Sequence, residues 1–130
     1  MEKKIPSQLN GWVNGKEYAD YNDVVSCFGT IVMELNDDDY QGDERYLLEK
    51  NGKYGYTIIG FGSCSGCDWL QGCSTKEEKI DLILEIERDI KWFKSLDDIK
   101  KYFKEKDWEL EYSWHQKETK EFINKVLNFN

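Results

Sequence analysis

The 130 residues include one histidine, one proline and two methionines, and these shortages narrow the chemistry before any motif is read. With a lone imidazole, His115, the dispersed constellations of acid, base and nucleophile that many enzymes use are disfavoured, as are multi-histidine metal centres. The single proline, Pro6, sits in a loose start, no internal repeat or linker is read along the chain, and one domain over residues 1–130 is expected. No segment approaches the roughly 20 apolar residues of a membrane span. The opening MEKKIPSQLNGWV lacks the apolar run of a secretory signal, so a cytoplasmic protein without membrane attachment is expected. Bases are also scarce: 18 against 26 acids, a net charge of −8. That balance argues against a broad phosphate-binding surface, and nucleic acid is not an expected partner.

Aromatic residues, by contrast, are abundant, with five Trp, eight Tyr and six Phe; most should fill a core or anchor an interface. Thr30 to Leu35 reads as a strand, with Asp23 to Phe28 as an extension broken at Gly29. In RYLLEKNGKYGYTIIGFG, Asn51-Gly52 suits the positive φ angles of a two-residue turn, so two antiparallel strands are predicted with Lys50 facing Lys53 and Leu48 facing Gly55. A glycine opposite a leucine suggests close packing against something large.

Ser74-Thr75-Lys76-Glu77 fits a capping box opening a helix from about Thr75 to Lys94, with Leu82, Ile83, Ile86, Ile90 and Phe93 on one face. Ser95 caps a second helix, Leu96 to about Lys106. Trp108 to His115 alternates large apolar and polar residues and reads as a strand, and a last helix runs from about Lys117 to Leu127. The order β-β-β-α-α-β-α predicts an α+β fold, an antiparallel sheet of three to four strands covered by helices on one face.

Three of the four cysteines fall within GSCSGCDWLQGC, Gly62 to Cys73. Cys64 and Cys67 form a C-x-x-C pair and Cys73 follows, a set that would hold zinc with one further ligand from Cys27, Asp68 or His115. A redox or nucleophilic thiol at Cys67 is a second reading: Ser65 would cap a short helical turn whose amides favour a thiolate. Asp68 opposes this, and no Lys or Arg lies between Lys53 and Lys76. The favoured reading is packing, in which Gly and Cys serve as compact residues at a sharp corner between strand and helix, with no cofactor. The loop lacks the Lys and Ser/Thr of a nucleotide-binding P-loop. The acidic loop Asp37 to Glu44 likewise fails the spacing of a calcium-binding EF-hand.

DYQGD at Asp39 to Asp43, with KNGKYGYTIIGFGSCSGCD at Lys50 to Asp68, resembles a family of small uncharacterised proteins from bacteria and their phages. The similarity spans roughly Asp37 to Phe93. It implies a small cytoplasmic protein, of the kind a phage or mobile element carries, and transfers no activity. Residues 1–75 hold 12 acids and 6 bases, against 14 and 12 in the remainder, so the excess negative charge lies on the strand-rich half. The leading expectation is therefore a non-enzymatic binding protein that docks on a protein partner, as a modulator or inhibitor of a host system, through an acidic and aromatic surface. The candidate contact residues are Asp37, Asp38, Asp39, Tyr40, Asp43 and Trp69.

Overall fold

A computed structural model describes residues 4–38, 42–62, 68–108 and 116–130. Their order is a 3-10 turn (Ser7–Leu9), α1 (Asn10–Val13), α2 (Tyr21–Val25), β1 (Thr30–Asn36), β2 (Gly42–Lys50), β3 (Lys53–Phe61), α3 (Lys76–Asp89), β4 (Lys91–Phe93), α4 (Leu96–Glu105) and α5 (Gln116–Leu127). The four strands form one antiparallel sheet in the order β1-β2-β3-β4. The fold is α+β, as expected.

The hairpin between β2 and β3 forms in the predicted register. Asn51 and Gly52 take φ of 53° and 81°, Lys50 pairs with Lys53 and Leu48 with Gly55. The large group expected over Gly55 is Trp92. A Cβ on Gly55 would meet the indole Cε3 at 2.8 Å and Cδ2 at 2.9 Å, so only glycine admits the ring there.

Helices cover both faces of the sheet rather than one. Residues Arg45 to Leu48 of β2 are all buried instead of alternating, the pattern of a strand with two covered faces. Tyr46, Leu48 and Ile59 join Leu9, Trp12, Val13, Val24, Val25, Leu82, Ile83 and Ile86 from α1, α2, α3 and the turn before them. On the opposite face, Leu47 and Tyr56 pack with Ile99 and Phe103 of α4, Trp108, and Phe122 and Val126 of α5.

Four boundaries differ from the sequence expectation. Asp23 opens no strand extension: Asp20 and Asp23 exchange side-chain and backbone hydrogen bonds in a capping box, and α2 follows. The box that starts α3 lies one residue later than expected, Thr75 with Glu78. That helix ends at Asp89, and Lys91–Phe93 leave the helical period to pair with Tyr54–Tyr56 as β4. The loose start is instead two short helical segments pinned by buried Leu9, Trp12 and Val13. Of the strand expected over Trp108 to His115, residues 109–115 lie outside the described residues. Trp108 is not in a strand; it is buried, and its indole Nε1 donates to the Phe103 carbonyl.

Candidate functional site

One end of the sheet gathers the residues of both sequence motifs. The β2–β3 register sets Gly42 against Phe61 and Asp43 against Gly60, so the acidic loop and the cysteine loop leave the sheet side by side. Their central parts, residues 39–41 and 63–67, lie outside the described residues, and with them Asp39, Tyr40, Cys64 and Cys67. His115 does too.

Two buried carboxylates fix the loop ends. Asp37 accepts from the Arg45 guanidinium Nη1 at 2.6 Å and from the Asp43 amide at 2.7 Å. Its backbone amide donates to the Asp43 carbonyl, and both side chains of the Asp37–Arg45 pair are fully buried. Arg45 also donates to Thr119 of α5 at 3.1 Å. A Cβ on Gly42 would lie 2.6 Å from the Asp37 side chain, which is why glycine stands there. Asp68 is the second clamp. It accepts from the Tyr21 hydroxyl at 2.8 Å, the Gly62 amide at 2.9 Å and the Gln71 amide at 3.1 Å. Tyr21 in turn accepts from the Leu70 amide at 2.8 Å.

This geometry gives two of the expected contact residues a structural position. The Asp37 carboxylate is buried and pairs with the buried arginine; Asp43 is half-buried beside the same guanidinium, at 3.8 Å. Asp38 is exposed, as is Trp69 at 39%. Sequence reading named Glu44 only as the end of the acidic loop and missed the carboxylates that the fold brings to act on it. Glu34 reaches from β1 to accept from Asn22 of α2 at 2.6 Å and from Asn36 at 2.7 Å. Half-buried Glu44 accepts from the hydroxyl of fully buried Tyr46. Burial pushes the Glu44 carboxyl above the ordinary carboxylate range; Asp20, Glu34 and Asp68 add to the rise, and the Tyr46 hydrogen bond opposes it. Burial and the neighbouring carboxylates likewise drive the Tyr21 and Tyr46 hydroxyls upward, so both stay protonated donors. Tyr18, two residues before Asp20, is 84% exposed.

The two described thiols lack the surroundings of a nucleophile. Cys27 donates to the Asp23 carbonyl, and its thiol is pushed up by burial and by the Asp23 carboxylate. Cys73 donates to the Trp69 carbonyl; burial raises it, Glu78 and Asp68 add to that, and Lys79 partly offsets them. Among the described residues, no group of three or more His, Cys, Asp or Glu is arranged to hold a metal ion. Among them also, no helix is long and apolar enough to cross a membrane. The end of the sheet is thus a surface of crowded carboxylates and exposed rings on a hydrogen-bonded base. Comparison with family models, with curated proteins and with solved structures finds no match to this chain.

Proposed function

We propose that the chain is a non-enzymatic cytoplasmic docking protein, acting as a phage-type modulator of a host protein, and that its acidic, aromatic end takes a basic surface of that partner. The observation that carries this reading is Glu44, a half-buried carboxylate opposite Asn36 at the sheet end, two residues along β1 from Glu34, raised by burial first and then by the charges of Asp20, Glu34 and Asp68. Arg45, the nearest base in sequence, is buried and committed to Asp37. Like charges held together in a partly desolvated place oppose folding, and a cationic partner would relieve that repulsion when it binds. Exposed Tyr18 and Trp69, close in sequence to Asp20 and Asp68, supply the rigid, apolar contact area that protein interfaces favour. The clamps at Asp37 and Asp68 hold the loop ends in place before binding, which lowers the ordering cost of association.

The test is affinity capture from host lysate with the wild-type chain and with an Asp20→Asn/Glu34→Gln/Glu44→Gln variant, at low and at raised salt. The reading expects a basic protein retained by the wild type, weakened by salt and lost by the variant. It fails if both chains retain the same proteins, or if the purified wild type turns over a substrate without any partner.

A further inference from the structure

The opposite end of the sheet carries a second arrangement with its own chemistry. Lys50 and Lys53 face each other across the Asn51-Gly52 turn, and alternation along the strands puts them on the same side as Leu48 and Gly55. The β3–β4 pairing sets Trp92 opposite Gly55. Its indole is braced from below by two glycines: a Cβ on Gly55 would come within 2.8 Å of the ring, and one on Gly29 within 3.0 Å. Trp92 is nevertheless 37% exposed, so the ring is a fixed platform with an open side. Lys50, Asn51, Lys53 and Trp92 together line a cavity of about 380 Å³, within the usual size range of small-ligand sites.

Among the described residues, neither ammonium group has an ion-pair or hydrogen-bond partner. Two like charges directly opposite each other on a hairpin repel, and an anion seated between them would remove that penalty. A carboxylate brings one negative charge, whereas a phosphate monoester carries about −1.5 to −2 at pH 7 and matches both lysines. Inorganic phosphate would leave the indole face unused; a planar ring attached to the phosphate would stack on it. The chain's net charge of −8 disfavours a long polyanion, but it does not oppose a single phosphate held by two local cations.

We propose that the cavity formed by Lys50, Lys53 and Trp92 binds a small planar ring bearing a phosphate monoester, as in a nucleoside monophosphate or an aryl phosphate. The test is an NMR titration that follows the Trp92 indole N–H, assigned with a Trp92→Phe variant. The probes are adenosine monophosphate, phenyl phosphate, inorganic phosphate and adenosine. The expected result is a saturable shift with one or both ring phosphates, about tenfold tighter than with either fragment and weakened at least about tenfold by Lys50→Glu or Lys53→Glu. Lys50→Arg should retain most of the affinity, because the positive charge stays in place. Tighter binding of adenosine monophosphate would identify the nucleotide as the source, and tighter binding of phenyl phosphate the aryl ester. The proposal is overturned if neither ring phosphate gives a saturable shift, if adenosine alone binds as well, or if the lysine reversals leave binding unchanged while the remaining spectrum shows an intact fold.

Discussion

At the residue scale, the chain uses its carboxylates in two opposite ways. Asp37 and Asp68 are buried, fully hydrogen-bonded and structural, whereas Glu44 is half-buried among like charges. Because its folded-state pKa is raised, the folded protein binds more protons than the unfolded chain between the ordinary carboxylate value and the raised one. Stability attributable to Glu44 is therefore highest at acidic pH and falls as pH rises through that window. Glu44→Gln keeps an acceptor for the Tyr46 hydroxyl and removes the charge. It should raise stability at pH 7 by a few tenths to about 1 kcal/mol and flatten that part of the pH profile. Urea unfolding at pH 5 and pH 7 checks this; a variant less stable than wild type at pH 7 would show that Glu44 is not under strain. These roles were only partly legible in the sequence. Asp37 reads as one more solvated acid in a polar run, since its partners Arg45 and Thr119 are set by strand register and by a helix far along the chain. Asp20, Glu34, Glu44 and Asp68 are scattered along the chain, and only tertiary structure makes them neighbours.

At the element scale, local chemistry decided what could be read. The β2–β3 hairpin was legible because Asn51-Gly52 specifies its turn and the turn fixes every later pair. β4 was not, because Ile90 and Phe93 continue the apolar period of α3; pairing with β3 overrides that periodicity. The four- and five-residue helices α1 and α2 are too short to form on propensity, and packing of Trp12, Val13, Val24 and Val25 holds them. The platform that joins β3 to β4 can be tested by a double-mutant cycle. Gly55→Ala should destabilise by about 1–3 kcal/mol, because the new methyl displaces the Trp92 ring. In a Trp92→Ala background most of that penalty should vanish, since the obstructing ring is gone and alanine is favoured over glycine in a strand. Equal penalties in the two backgrounds, measured by chemical denaturation, would contradict the close approach of Trp92 to Gly55.

At the scale of the whole molecule, the sheet separates two ends of unlike character. One carries carboxylates that act on one another, with exposed Tyr18 and Trp69 close in sequence to two of them; the other presents two lysines, unpaired among the described residues, beside Trp92. A nine-residue strand spans about 30 Å, so each end can be occupied without the other. The α+β class was legible because the strand signals cluster in the first half of the chain and the helical ones in the second. The covering of both faces was not, since the uninterrupted burial of Arg45 to Leu48 includes an arginine that reads as exposed. Zero-length carbodiimide crosslinking in host lysate, which joins carboxylates to amines in direct contact, tests the docking role most directly when the linked peptides are mapped by mass spectrometry. The account predicts links from Asp20, Glu34 or Glu44 to lysines of one basic partner. Links confined to other carboxylates of the chain, with those three unmodified, would contradict it.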